Sequence, residues 1–384
     1  MIRQLQRNHA LLSQILAKPQ KIFPVIGKTS FLCPSSHHFV MSKPDSTTQN
    51  LSQFIIHEIK KKLSLHEDIT SVLSQLLHLS KSAIYRKING DVPLSLPEAT
   101  LLARHYQISL DNFILGGSTA TGFRFRGQPA PEETDVSYYL KIIEALYFLK
   151  KDNQEYEMVI TTQEITPFQF LYFPELAAFQ SLLWSRVTMR YKNVEDDNFI
   201  VEQKAQDGQL RLIAKELTTM YENIPCTEFI SSRILDKNLD ALQHFARQPV
   251  FSDPATPILI CEQLEALIKH LFNIAKMGQK TPFLAGNEVS APPVPFTLFH
   301  DNFPNYDTNL LFKSPRRSFV YCSFDYPNFM SSTSPKMVEY LEKWIANCRT
   351  HSTRISGEGE MYRNQLQQFF LDKIATVKKQ LIHQ

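Results

Sequence analysis

The stretch ITSVLSQLLHLSKSAIYRKING, Ile69 to Gly90, decides how this chain is read. Its first half sets Ile69, Val72, Leu73 and Leu76 at helical spacing, which makes one apolar stripe. His78-Leu79 interrupts that pattern. Ser80 then offers a hydroxyl to the first-turn amides of a second short helix. Asn89-Gly90 stops that helix with residues that tolerate positive φ. The second helix carries Lys81, Arg86 and Lys87 and no acid. The pattern predicts two short helices across a tight turn, the second purely cationic.

The neighbouring sequence extends this unit. In LSQFIIHEIKKKL, Phe54, Ile55, Ile59 and Leu63 share one helical face, and Lys60-Lys61-Lys62 lie on the other. Ser64 to Glu67 has capping-box spacing, and Asp68 can also cap the helix that follows. Ser95-Leu96-Pro97-Glu98 is a second capping box, with Pro in the first turn where no amide donor is missed. It opens a fourth helix with Ala99, Leu101, Leu102 and Ala103 turned inward. Ile108 to Phe113 opens a fifth. Five short helices imply a compact all-α domain over residues 51–116.

The run SKSAIYRKINGDVPLSLPEATLLARHYQISLDNF resembles the helix-turn-helix domain of the Cro and phage-repressor family. The resemblance rests on the stop at Asn89-Gly90, the approach to helix four at Pro93 to Leu96, and the helix-five start at Ile108 to Phe113. Leu73-Ser74 matches the family's Leu-small pair, and Ile84 matches the apolar residue that pins the recognition helix. The match covers about Leu51 to Leu115. One departure is His78, at the turn position the family usually gives to Gly; His adopts left-handed φ at some cost.

The resemblance implies a third helix lying in the major groove of duplex DNA. By position it makes Ser80, Lys81, Ser82 and Arg86 the DNA-facing candidates, with Tyr85 on the flank. Lys and Arg suit guanine O6 and N7, Ser serves either base, and a Tyr ring meets a thymine methyl or a phosphate. Lys87 is a phosphate candidate. Thr70 and Ser71, at the start of helix two, are candidates for phosphate hydrogen bonds. A homodimer is expected, because such recognition helices usually work as a pair on a two-fold site.

The 384 residues suit two or three domains, since single cores rarely grow past ~250 residues. A net charge of +3 identifies no nucleic-acid binder by itself; the location of the charge matters. Cys33, Cys226, Cys261, Cys322 and Cys348 are scattered with no CxxC pair. That argues for reduced thiols in a cytoplasm and against a disulfide frame or zinc site. No apolar run approaches the ~20 residues of a membrane helix. Residues 1–50 have no acid before Asp45 and no signal-peptide core, and are read as a disordered basic tail. An organellar transit peptide or a start at Met41 also fits them.

Residues 117–135 read as a linker rich in small residues, Pro and charge, with Phe123 and Phe125 available to dock. Residues 136–384 read as an α+β domain for ligand sensing or dimerisation. Helices are expected at Tyr138–Lys151, Glu175–Tyr191, Leu210–Tyr221, Ile234–Arg247, Pro257–Met277, Pro335–Cys348 and Gly359–Leu381. Strands are expected at Tyr156–Thr162, Pro167–Phe173, Val294–Phe299, Asn309–Phe312 and Ser318–Phe324. No catalytic motif, metal set or cofactor fingerprint stands out. His244, His270 and His300 are isolated. Ser331 to Ser334 and Ser352 to Gly359 each precede a helix, so they cap it or bind an anionic effector, with Arg316, Arg317 or Arg354 assisting. Leu366, Phe369, Phe370, Ile374, Val377 and Leu381 form an apolar stripe suited to core or to a dimer seam.

The reading is a cytoplasmic DNA-binding transcriptional regulator, non-enzymatic, with an unidentified small-molecule or anionic effector. Two alternatives stand: an adaptor that uses the helical bundle to bind protein, and an enzyme fused to a DNA-binding domain.

Overall fold

The computed structural model describes residues 51–63, 67–106, 108, 110, 113, 123–125, 135–150, 156–189, 199–283, 293–302, 308–315, 318–325 and 328–383. The predicted tail, most of helix five and most of the linker lie outside them. The described residues fall in one contact unit, Gln49–Gln384.

Four helices come first among the described residues: α1 Leu51–Lys62, α2 Ile69–Leu77, α3 Lys81–Asn89 and α4 Leu96–His105. Their core is self-contained. Ile55, Ile56, Ile59, Leu73, Ile84 and Leu102 are all buried within it. Of the expected fifth helix, Ile108 is buried, and the Phe113 ring lies 5.4 Å from that of Phe54. Leu101, expected to face inward, is exposed; Ala99, Leu102 and Ala103 alone supply the buried face of α4.

The remainder is a mixed sheet with helices on both faces. Its strands are β1 Arg124–Phe125, β2 Glu157–Thr162, β3 Cys226–Ile230, β4 Gln279–Lys280, β5 Val294–His300, β6 Asn309–Lys313, β7 Ser318–Asp325, β8 Asn328–Ser332 and β9 Thr353–Arg354. The order is β1-β8-β7-β6-β2-β3-β5-β4, with β9 also paired to β5. Strands β2, β3 and β5 are parallel, in register from Met158, Cys226 and Phe296 to Thr162, Ile230 and His300. Parallel neighbours require long crossovers, and helices supply them: α5 Asp135–Lys150 leads in, and α6 Pro167–Phe170, α7 Pro174–Leu183, α8 Val201–Ala205, α9 Gly208–Glu222, α10 Asp236–Phe245 and α11 Thr256–Met277 follow. The antiparallel wing β6-β7-β8 needs only short turns. Both ends of the strand path are two-residue strands, which leaves little unpaired edge.

α12 Pro335–His351 covers one face of the sheet, where Val159, Phe229, Leu311 and Val320 pack on Leu341 and Ile345. Phe229 and Phe299 stack there at 4.7 Å. α13 Glu360–Ile382 packs along α11, with the Phe272 and Phe370 rings 6.0 Å apart. Leu366, Phe370, Ile374 and Val377 are buried, so most of the stripe is core and only Phe369, 42% exposed, stands clearly outside it.

Several expectations are corrected. Pro167–Phe173 is not a strand: Pro167 begins α6, and the Gln169 carboxamide oxygen accepts the Thr166 amide at 3.2 Å to fix its first turn. Arg124–Phe125 is no linker, because it pairs with Ser331 and Met330. Ser331 and Ser332 belong to β8, ahead of the turn into α12. The expected helix from Glu175 ends as an α-helix at Leu183 and continues as a π segment, Trp184–Met189.

The centre of the sheet holds a buried polar group. Glu228, fully buried on β3, accepts from Tyr221 Oη at 2.6 Å and Gln169 Nε2 at 2.9 Å. Lys280 is buried with its ammonium 3.3 Å from the Tyr221 ring centroid, donating to the Tyr221 carbonyl at 2.7 Å. Burial pushes the Glu228 carboxyl above its usual range and lowers the Lys280 ammonium to about 8. Glu228→Ala would leave Tyr221 and Gln169 without their acceptor. It should cost about 3–5 kcal/mol in urea unfolding. Glu228→Gln keeps an acceptor and should cost less than half of that; equal losses for the two variants would contradict the network.

Candidate nucleic-acid interface

The turn between α2 and α3 is built on one residue. His78 has φ 53° and ψ 37°, the left-handed region, and is the one non-glycine residue with positive φ among those described. That conformation lets Ser74 close the turn. Its carbonyl accepts from the amides of His78 and Leu79, and its hydroxyl donates to the Leu79 carbonyl at 2.6 Å. The small residue of the Leu73-Ser74 pair thus ties the two helices together.

α3 starts at Ser80, whose Oγ accepts the Ala83 amide at 3.3 Å. It ends at Gly90, φ 87°, whose amide bonds back to Arg86 and Lys87 carbonyls. Gln53 on α1 donates to the Ile88 carbonyl at 3.4 Å, and a Cβ at Gly90 would lie 2.9 Å from that Gln53 Nε2. Glycine is therefore favoured there by φ, and any larger residue would also push the Gln53 carboxamide off the Ile88 carbonyl. Ile84 is wholly buried against the core. The opposite face of α3 presents Lys81, Ser82, Tyr85 and Arg86, all exposed. Tyr85 is 61% exposed, unusual for so large a ring.

The eight sequence-derived residues divide into two groups. Lys81, Ser82, Tyr85 and Arg86 share the exposed face, and Arg86 has no side-chain partner among the described residues. The other four already hold structure. Ser80 caps α3. Lys87 donates to Glu98 at 2.9 Å and to the Pro93 carbonyl at 3.1 Å, and its side chain is only 12% exposed. Thr70 and Ser71 give their amides to Asp68, both at 3.1 Å, and Ser71 adds its hydroxyl at 2.7 Å.

Asp68 caps α2, as its place in the sequence predicts. Its exposed carboxylate fills the α2 N-terminus, which would otherwise receive a phosphate. The Ser71 hydroxyl and the Thr70 amide hold it below its usual range, and the charge of Lys81 adds to this. The start of α2 therefore presents an anion with its amides already used.

Glu98 plays two parts. It completes the capping box by accepting the Ser95 amide at 2.7 Å, and it accepts Lys87. Burial by itself would raise its carboxyl; the Lys87 ammonium and the Ser95 amide outweigh it and hold it below the usual carboxylate range. Two further contacts join the ends of the unit. Ser52 accepts the Leu94 amide at 2.9 Å, and Lys62 donates to the Tyr106 carbonyl at 2.6 Å.

Residues 52–139 match the family of the BetR domain. A helix-turn-helix-type regulator domain lies there, and the match points to a DNA-binding regulatory role. The BetR match extends past the four helices into α5, beyond the boundary expected near residue 116. No curated protein and no solved structure matches the chain. Among the described residues no helix is long and apolar enough to cross a membrane, and no His, Cys, Asp and Glu cluster has the makings of a metal site.

The three histidines and the polar clusters of the sheet region have structural surroundings; His244 Nε2 lies 3.0 Å from Gln248 Nε2. His270 is lowered to about 4 by burial, and its ring meets Phe283 at 4.7 Å. His300 Nδ1 lies 2.7 Å from Tyr362 Oη. Ser356 accepts the Leu298 amide at 2.8 Å, and Arg363 donates to the carbonyls of Ile355 and Gly357. The Ser352–Gly359 run is thus fastened to β5 and α13. Arg316 and Arg317 lie outside the described residues.

Two predictions concern the BetR domain. His78→Gly should stabilise it by about 0.5–1 kcal/mol: relief of left-handed strain, ~1–2 kcal/mol, exceeds the entropy cost of Gly. His78→Val should instead destabilise it, and urea midpoints of both variants check the sign. For Glu98 the folded pKa is depressed, so its stabilisation is present above the ordinary glutamate value and is lost as pH falls through the folded value. Wild type should therefore lose stability on acidification below about pH 4.5 more steeply than Glu98→Gln, as followed by helical circular dichroism.

Proposed function

We propose that the chain is a sequence-specific DNA-binding transcriptional regulator of the Cro and phage-repressor type, with α3 as its recognition helix. The carrying observation is the face of α3. Lys81, Ser82, Tyr85 and Arg86 stand exposed together on it, while the buried Ile84 and the turn at His78 hold the helix in place. Two cations on that face suit guanine O6 and N7, and the Tyr85 ring suits a thymine methyl.

The phosphate role that the resemblance implies for Lys87, Thr70 and Ser71 is weakened by their partners. Lys87 and the Ser71 hydroxyl would have to leave intramolecular partners, the Thr70 amide is taken by Asp68, and Asp68 would repel a phosphate at the α2 N-terminus. Lys60, exposed in the last turn of α1, is a freer cation. In the same reading the protein acts as a homodimer in the cytoplasm, has no catalytic role, and uses residues 136–384 to sense an effector. The effector biases one arrangement of the chain over another.

The test is binding to duplex selected from a random pool, across a salt series. Wild type should bind with affinity falling steeply as salt rises. Lys81→Ala with Arg86→Ala should lower specific affinity at least about thirtyfold, at ~1–3 kcal/mol per base contact. The thermal midpoint should not move, because both side chains are exposed. Equal binding by the double variant would remove α3 as the reading element.

A further inference from the structure

Where α7, α8 and α9 meet, small side chains leave a cleft of about 360 Å³. Ala177, Ala205 and Ala214 make the room, Leu171, Pro174 and Leu210 add apolar lining, and Thr218 and Thr219 spend their hydroxyls on the Ala214 and Lys215 carbonyls at 2.8 and 2.7 Å. At one end α9 brings Arg211 and Lys215 to the lip, four residues apart on one helical face. Like charges at that spacing repel. Arg211 donates to the Ala205 carbonyl at 2.8 Å and to the Gln206 carboxamide oxygen at 2.7 Å. These acceptors are neutral, so its position is fixed while its charge is not cancelled. The Lys215 ammonium has no partner among the described residues. At the far end Glu222 accepts the Phe283 amide at 3.0 Å and faces Tyr172. That end is acidic and already satisfied.

We propose that this cleft binds an apolar monocarboxylate, with its carboxylate at Arg211 and Lys215, where the alanines leave room, and its hydrocarbon body running past Leu171 toward Pro282. The opposite orientation is disfavoured, because it would set two carboxylates together at Glu222. Helical rise puts Lys215 and Glu222 about 10 Å apart along α9. At roughly 30 Å³ for each water-sized unit the cleft holds about a dozen non-hydrogen atoms. Both figures fit an unbranched acid of about eight to ten carbons. The site names an effector class for the sensing role proposed above and rests on that role only for its regulatory meaning.

The experiment is calorimetric titration of the full chain, without DNA, with hexanoate, octanoate, decanoate and 1-octanol. Octanoate and decanoate should bind more tightly than hexanoate, and 1-octanol at least tenfold more weakly than octanoate. Lys215→Gln should weaken octanoate at least tenfold, and Ala214→Leu should abolish binding by filling the cleft. Lys215 is exposed, so its variant keeps the test intact if Ala214→Leu fails to fold. Equal binding of the alcohol, or octanoate affinity indifferent to Lys215→Gln, would overturn the site. A second arm measures duplex affinity with and without octanoate. Intact octanoate binding with unchanged duplex affinity would retain the cleft and overturn the sensing role.

Discussion

The direction in which α3 points hangs on the left-handed backbone at His78. An L-residue there is strained, and the strain is held by Ser74, which uses both its carbonyl and its hydroxyl to close the turn. The other end of α3 is clamped as well, by Gly90 fitted against Gln53. Between the clamps Ile84 is buried completely. A helix of nine residues fixed at three points has one face left to present. In the proposed role, base-edge contacts need the helix that carries them held in place, and the clamping fixes that backbone.

The same economy explains which polar groups are not offered outward. Lys87 and Glu98 join α3 to α4, and Asp68 caps α2. These groups hold the unit at its desired shape and leave the surface chemistry to Lys81, Ser82, Tyr85 and Arg86. In the sheet region Glu228, Tyr221, Gln169 and Lys280 form a second set of polar groups used internally. Buried networks of this kind discriminate against misregistered strands, because a slip would orphan every member.

The helical unit was legible because its signals are local. Caps at Ser80 and Ser95 and the stop at Asn89-Gly90 are each decided within a few residues, and each stands where expected. What sequence could not give was the side-chain traffic across long separations, such as Lys87 with Glu98. In the sheet region the same limit hid β3, where Glu228 sits mid-strand and breaks the apolar pattern; only a partner from α6 and α9 makes that residue tolerable. At Pro167–Phe173 an aromatic run imitates a strand, but the first-turn Pro and the Gln169 contact to the Thr166 amide decide for helix. At Ser331-Ser332 a capping signal overlaps the end of β8, and pairing with β7 and β1 prevails.

The most direct test of α3 as a major-groove reader is methylation interference on a selected duplex. Methylation of guanine N7 blocks the major-groove edge that Lys81 and Arg86 are proposed to meet, whereas methylation of adenine N3 blocks the minor groove. Binding should be lost at discrete guanines, and Arg86→Ala should erase part of that pattern. Interference confined to adenine N3 would contradict the account.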